Sequence, residues 1–297
     1  MQVQLAVHYS PASAALLARG HIAFDRFKCP AWPDLVREAR AVAPVYVHLP
    51  LIVGSGVGDA QDSETHAPPD WAAFERLLTG TDTPFVNLHL AAHERDYPGI
   101  PRLSADPAHT ELVAGRLLRD VRGVVARWGA DRVIVENVPE EPGRMRAAYL
   151  PETVRRVVAE TGCGLLLDVS HARLAAPALG MDARDYIAAL PVDRTREIHI
   201  TGIQPFDEHW ARVLRDAGVP EATIAGYAGR PLDHLPFTDA DWEFAAWAIG
   251  RVHSGAWGEP WLVALEYGGV GGAWGAVTDA AVLREQVPRL AALLAAE

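Results

Sequence analysis

The chain has 297 residues, of which 49% are hydrophobic and 22% are charged, so it can bury a large core and is not expected to be disordered. Its formal net charge of −11 argues against a nucleic-acid partner, because such binding depends on neutralising phosphates. No apolar run approaches the ~18 residues of a membrane span, and the two cysteines form no disulfide or metal-binding pattern, so we expect a cytoplasmic protein with no membrane partner.

Short apolar runs bounded by Pro, Gly or polar residues predict eight strands, near 3–8, 22–27, 45–49, 85–90, 132–138, 164–169, 196–201 and 261–267. Apolar residues at helical spacing predict a helix after each strand, over 11–19, 33–43, 70–78, 107–128, 151–161, 182–190, 239–253 and 279–296. Long loops are expected at 50–69 and 202–237. This alternation, without a Gly-rich nucleotide-binding motif, favours a single-domain α/β protein over residues 1–297, a (β/α)8 TIM barrel.

Most of these strands end in one His, Asp or Glu, which is the observation that bears on function. The residues are His48, His89, Glu136, Asp168 with His171, His199 and Glu266, and His234 lies in the long segment between the last two. Parallel barrel strands bring such residues to one end, where barrel enzymes have their active sites. Three carboxylates gathered there would repel one another unless cations compensate them. The mixed N and O donors suit two or three ions of Fe, Zn or Mn, with Glu136 as the bridging ligand.

Further polar residues at the same end are candidates for second-shell or substrate contacts. They are His8, Lys28, His93, Asp207, His209, Asp233 and Tyr267. Lys28 is the only lysine in the chain and is expected at the end of the second strand, where it could neutralise a developing charge.

The segment DVSH, the strand EIHITG and the terminal strand ending in Glu266 resemble the xylose isomerase-like TIM-barrel superfamily. Within it, TGCGLLLDVSHARLAAPALGMDARDYIAALPVDRTREIHITG and DHLPFTDADWEFAAW are similar to the multinuclear non-heme iron-dependent oxidative enzymes, the relatives of the methanobactin-biosynthesis oxidase. The resemblance implies metal ligands at the same histidines and acids. It departs at His234, where the family's Asp two residues earlier is replaced by Leu232, so that Asp233 or the Asp207-Glu208-His209 segment would have to serve the third metal.

The resemblance implies an iron-dependent oxidase that binds a peptide or small thiol, activates O2 and works with a partner protein that delivers the peptide. A metal-dependent sugar isomerase or epimerase is an alternative, with Glu136 and Glu266 as catalytic base and metal ligand. A phosphodiesterase of the apurinic endonuclease type fits the ligands but not the acidic surface. A non-catalytic metal-handling protein is the remaining alternative.

Overall fold

The computed structural model describes residues 3–296. Its strands are β1 (Gln4–His8), β2 (Arg26–Pro30), β3 (Val45–His48), β4 (Leu51–Val53), β5 (Gln61–Asp62), β6 (Val86–Leu90), β7 (Val133–Glu136), β8 (Gly164–Asp168), β9 (Thr195–Ile200), β10 (Gly202–Pro205), β11 (Pro231–Leu235) and β12 (Leu262–Leu265). Its α-helices are α1 (Pro11–Ala18), α2 (Pro33–Arg40), α3 (Trp71–Gly80), α4 (Pro107–Trp128), α5 (Pro151–Thr161), α6 (Val169–Ala175), α7 (Ala183–Ala189), α8 (Glu208–Asp216), α9 (Glu221–Tyr227), α10 (Asp239–His253), α11 (Gly272–Val277) and α12 (Ala280–Ala295). Short 3-10 helices cover Glu94–Asp96, Ala130–Arg132, Arg146–Tyr149, Ala176–Leu179 and Val192–Arg194.

The chain forms two compact units. The terminal unit comprises Met1–Tyr46, His199–Ser254 and Trp261–Glu297, and the central unit comprises Val47–Ile198 and Gly255–Pro260. The single domain expected over residues 1–297 stays a prediction, and residues 1, 2 and 297 lie outside the described part. None of the helices within residues 3–296 has both the length and the apolar character that a membrane crossing requires.

Each unit is built around parallel strands. In the terminal unit, β1 pairs in parallel with both β2 and β12, and β10 and β11 form an antiparallel pair. In the central unit, β4, β6, β7 and β8 pair in parallel in that order, and β5 lies antiparallel to β4. Parallel strands that alternate with helices along the chain confirm the predicted α/β class and the (β/α)8 TIM-barrel type of fold.

The helices predicted from sequence are all present, because their start signals and apolar spacing agree. The helix α4 shows both features. Asp106 accepts a hydrogen bond from the Ala108 N–H at 2.8 Å, Pro107 occupies the first turn, and the side chains buried along one face recur at helical spacing. These buried residues include Val113, Leu117, Val121 and Val124.

Three predictions about chain segments were wrong. The expected loop 50–69 contains the strands β4 and β5, which pair with each other. The second strand lies at Arg26–Pro30 and begins four residues later than predicted, because Phe27 and Cys29 are the fully buried residues and Arg26, Phe27 and Lys28 pair with β1. Lys28 is therefore inside this strand and not beyond its end. The segment 202–237 is ordered as the β10–β11 pair with α8 and α9, because it has its own apolar cluster, which includes Phe206, Trp210, Leu214, Ile224, Leu232 and Leu235.

The loop that follows β4 is attached to α4 by one buried carboxylate. The oxygens of Asp120 accept the backbone N–H groups of Gly54, Gly56 and Gly58 at 2.9, 2.8 and 2.6 Å. The loop also touches the helix backbone, since a Cβ at Gly123 would lie 1.9 Å from the Gly58 carbonyl oxygen. Three charge-assisted hydrogen bonds thus replace the water that these glycine N–H groups would otherwise bind.

We expect Asp120→Ala to destabilise the fold by about 3 kcal/mol, because one buried and two partly buried N–H groups lose their acceptor. Chemical denaturation of the purified protein measures the change. Asp131→Ala, at an exposed position of the same unit, is the matched control. If both variants unfold at the same denaturant concentration as the parent, the loop does not depend on Asp120.

Candidate metal centre

Three predicted ligands of the central unit form one group. His48 ends β3, His89 lies in β6 and Glu136 ends β7. The Nε2 atoms of His48 and His89 are 3.2 Å apart, and they lie 3.5 and 3.1 Å from Oε2 of Glu136. Around a cation with bonds of about 2.0–2.1 Å, tetrahedral ligands are separated by about 3.3 Å. The three donor atoms therefore have the spacing that a first-row metal ion requires.

Contacts with neighbouring strands orient the two imidazoles. His89 Nδ1 lies 3.0 Å from the Leu51 carbonyl oxygen, which can only accept, so in the neutral ring Nδ1 carries the proton and Nε2 presents its lone pair. The amide of Asn87 donates to His48 Nε2 at 3.2 Å and is itself held by the backbone of Leu49. Sequence reasoning missed Asn87. The signal was its position two residues before His89, on the same face of the strand.

The other oxygen of Glu136 faces a second group of donors. Oε1 lies 3.2 Å from His171 Nδ1, which is 3.4 Å from Oδ2 of Asp168. Asp168 ends β8 and caps α6, because its Oδ1 accepts the His171 N–H at 2.7 Å. Glu136 and Asp168 are each 1% exposed. The structure thus brings the five predicted ligands of this unit together, with one Glu136 oxygen on each side.

His171 has a feature that was not expected from sequence. Its Nδ1 also lies 3.0 Å from the Asn137 carbonyl oxygen, so three oxygens surround this nitrogen and favour a proton on it. Metal ligation by His171 stays a prediction. The fully buried Asn137, also missed, binds the backbone N–H and carbonyl of Asp168 at 3.0 and 2.8 Å. It directly follows Glu136, and an asparagine after a strand reads as an ordinary turn residue.

Glu136 is held as a carboxylate. Burial acts to raise its pKa, but while the imidazoles are protonated the charge of His89, a hydrogen bond from His171 and the charge of His48 outweigh burial and keep the pKa well below its usual range. A buried anion shared by two sets of nitrogen and oxygen donors favours cations at this position.

The terminal unit holds a different group around Lys28. His199 lies in β9, and Glu266 directly follows β12, where its N–H donates to the Ile200 carbonyl at 3.0 Å. The Lys28 ammonium contacts Oε1 of Glu266 and lies 3.3 Å from His199 Nδ1. Those two acceptor atoms are 3.2 Å apart. On the other side of the imidazole, the Tyr46 hydroxyl lies 3.5 Å from Nε2.

His8 and His234 form a third arrangement, in the same unit as Lys28. His8 Nδ1 donates to the Gly268 carbonyl at 3.0 Å, and its pKa is well below the ordinary value because of burial and then the charges of Lys28 and His234. His234 has a φ of +57°, and its ring packs against Trp274 with the ring centroids 4.7 Å apart and the planes tilted by 33°. No group of three facing metal-type donors found within residues 3–296 contains His234. Its assignment as a ligand stays a prediction.

The remaining predicted residues make local contacts. Asp207 is exposed and caps α8 by accepting the N–H groups of His209 and Trp210, and the His209 ring lies edge-on to Trp210. Asp233 lies within β11.

His93 and Tyr267 are tied to neighbouring backbone. Nδ1 of His93 accepts the Arg95 N–H at 3.3 Å, and burial followed by the charges of Arg95 and Arg144 lowers its pKa. The Tyr267 hydroxyl donates to the Val277 carbonyl at 2.6 Å and accepts the Asp279 N–H. Substrate or second-shell roles for these residues stay predictions.

Comparison with known families agrees with this site. Residues 30–218 match the family described as RiPP precursor modification enzyme MbnB/TglH/ChrH, which is more than half of the chain. The chain belongs to this family. The resemblance to relatives of the methanobactin-biosynthesis oxidase is thereby confirmed, as is the prediction of an enzyme family.

Individual relatives are similar to part of this chain. A UPF0276 protein of Caulobacter vibrioides (strain NA1000 / CB15N) is 31% identical over 198 residues, which cover 64% of this chain and 65% of that protein. A UPF0276 protein of Rhizorhabdus wittichii is 45% identical over 181 residues, or 57% and 58% of the two chains. The chain therefore spans less than two thirds of the length of these curated relatives. A crystal structure of D-psicose 3-epimerase in the presence of D-fructose aligns over 98% of this chain and 97% of that one, at 14% identity and a TM-score of 0.49.

The two cysteines of the chain are buried, and their thiols are not ionised. Cys29 and Cys163 are both fully buried and outside any disulfide. Burial raises the pKa of Cys29 to about 12 and that of Cys163 to about 11. Both remain protonated thiols at neutral pH.

We expect the native protein at pH 8 to resist iodoacetamide at both cysteines, because thiolate is the reacting form and both sulfur atoms are buried. Mass spectrometry measures alkylation, and the denatured protein, in which both cysteines react, is the control. Rapid alkylation of Cys163 in the folded protein would contradict the buried, protonated state.

Proposed function

We propose that this protein is a metal-dependent TIM-barrel oxidase that modifies a peptide or small thiol. The observation that carries the proposal is the position of Glu136, whose two oxygens face two separate donor groups. One metal ion would be held by His48, His89 and Glu136. A second would be held by Glu136 and Asp168, with His171 as ligand or hydrogen-bond donor. The donor spacing of 3.1–3.5 Å fits such ions.

The protein's own residues prepare this site in three ways. The Leu51 carbonyl fixes the tautomer of the neutral His89 ring, so that its nitrogen facing Glu136 can bind a metal ion. Asn87 and Asn137 hold the backbone of Leu49 and Asp168, which fixes where the ligands lie. Burial of Glu136 and Asp168 keeps water from these carboxylates. When bound, iron would supply the redox chemistry that oxidises a thiol with O2.

The choice of an oxidase acting on a peptide is supported by the family, whose description names the modification of peptide precursors. Iron is the metal we propose, and zinc or manganese is compatible with the same donors. We also propose that a partner protein delivers the peptide and contacts segment 202–237, which forms the β10–β11 pair with α8 and α9.

One observation favours the sugar isomerase or epimerase alternative. The buried Lys28 beside Glu266 and His199 is the kind of acid–base group that carbonyl chemistry uses. The two functions differ in their dependence on O2.

We expect Glu136→Ala to lose both metal ions and His48→Ala to lose one of about two per chain, since each imidazole serves one donor group but Glu136 serves both. Elemental analysis of protein purified without added metal gives the count, and Glu75→Ala, at an exposed position of α3, is the control. Full metal content in Glu136→Ala would rule out the bridging role.

We expect the iron-loaded protein to consume O2 in the presence of a cysteine-containing peptide and not with the corresponding serine peptide, because the thiol is the proposed reacting group. An oxygen electrode measures the rate, and protein treated with a chelator is the control. Aldose–ketose exchange by the manganese-loaded protein, without O2 uptake, would contradict the oxidase function and support the isomerase function.

A further inference from the structure

One arginine of the central unit is buried in the loop that follows β7. The side chain of Arg144 is 12% exposed and forms an ion pair with Glu141, whose side chain is 39% exposed. A guanidinium has five N–H donors. The Nε atom of Arg144 is buried and has no hydrogen-bond partner among residues 3–296. Arg144 therefore retains donor capacity that its neighbours do not use.

Backbone contacts fix the position of Arg144 beside the loop that follows β6. His93 and Arg144 form an antiparallel bridge, which two backbone hydrogen bonds of 2.8 and 3.0 Å flank. Residues opposite each other in such a pair have their side chains on the same face. Gly143 has a φ of +83°, and a Cβ there would overlap the His93 ring, so the imidazole lies directly on this loop. The two loops therefore hold each other in place.

Arg144 also lies near the candidate metal centre. Glu136 ends β7, and the loop that contains Arg144 begins directly after it. Burial lowers the pKa of Arg144 and the charge of Arg95 acts in the same direction, whereas the charges of Glu141 and Glu136 oppose them. Arginine nevertheless stays protonated in proteins. A chain of net charge −11 thus has a permanent cation beside its candidate metal ligands.

The two members of the Arg144–Glu141 ion pair differ in how easily they can leave it. Glu141 can turn into water from its more exposed position, whereas Arg144 is enclosed by protein. A buried charge that loses its partner is costly unless another group compensates it. A second carboxylate can do so, because the planar guanidinium matches carboxylate geometry with two parallel hydrogen bonds. The position of Glu141 is therefore one that another carboxylate can occupy.

We propose that Arg144 binds a carboxylate of the peptide substrate beside the metal centre, and that Glu141 occupies this position when no substrate is bound. The inference rests on the proposed function, since it names a second recognised group of the same substrate. The carboxylate belongs to the C-terminus of the peptide or to an acidic side chain, and both have the same chemistry.

The test is the affinity of a labelled peptide in which serine replaces cysteine, so that no thiol contributes to binding. The peptide is prepared with a free C-terminus, as the C-terminal amide, and with Gln in place of each Glu. We expect the parent protein to bind one of the neutralised peptides about tenfold more weakly than the original, the effect of one charge-assisted hydrogen bond. Fluorescence anisotropy measures the affinities. Weaker binding of the amide assigns the C-terminus, and weaker binding of the Gln peptide assigns a side chain.

Two variants with opposite expected effects separate binding from a structural role. Arg144→Gln is expected to bind all the peptides equally, and Arg76→Gln, at an exposed position of α3, is the control with the same change of charge. Glu141→Gln is expected to bind the original peptide several-fold more tightly, because no internal carboxylate competes. This gain decides the question if Arg144→Gln does not fold. Equal binding of all peptides by the parent, a preference that persists in Arg144→Gln, or no gain in Glu141→Gln would overturn the proposal.

Chelator-treated protein separates this inference from the proposed function. Arg144 is present with or without metal, so the preference for the carboxylate is expected to persist after chelation. Loss of the preference together with the metal would show that the metal binds the carboxylate, and the proposal would then be wrong. Absence of O2 uptake with the cysteine peptide, combined with an unchanged carboxylate preference, would refute the oxidase and leave the Arg144 site standing.

Discussion

Compensation of buried carboxylates is the constraint on which the site depends. Glu136 and Asp168 are 1% exposed and Glu266 is 4% exposed. Removing an ionised carboxylate from water costs several kcal/mol unless partners replace the lost hydration. Two different solutions occur in this chain. Imidazoles and backbone N–H groups face Glu136 and Asp168, whereas an ammonium faces Glu266. In both arrangements, groups that can carry positive charge or donate hydrogen bonds offset a buried carboxylate.

In the central unit, two asparagine side chains hold the backbone at or next to predicted metal ligands. The amide of Asn87 binds both the N–H and the carbonyl of Leu49, and the amide of Asn137 does the same for Asp168. Asn87 therefore links β6 to the residue after His48, and Asn137 links the end of β7 to Asp168. Donor distances fixed in this way are pre-organised for a metal ion, which reduces the ordering that metal binding would otherwise require.

Sequence patterns predicted the helices and the candidate ligands that depend on signals close together in the chain. Helices such as α4 have a cap and apolar spacing that are readable along the chain, and candidate ligands such as His89 stand out near strand ends. The second strand was misplaced, because the apolar Ile22 and Phe24 looked more like a strand than the segment around Lys28. The contacts of Lys28 could not be predicted, since they join residues 171 positions apart or more. The left-handed backbone of His234 has no sequence signal either.

Neither cysteine of the chain can supply a sulfur ligand to the proposed metal ions around Glu136. Cys29 and Cys163 are buried, and their raised pKa values keep both protonated. Cys29 is adjacent to Lys28 in β2, but successive strand residues point to opposite faces. The described donors around Glu136 are nitrogen and oxygen atoms, which leave a first-row metal without a protein thiolate. In the proposed oxidase, sulfur would therefore enter the metal centre only with the substrate. A peptide thiol could then be distinguished from a hydroxyl by its affinity for the metal.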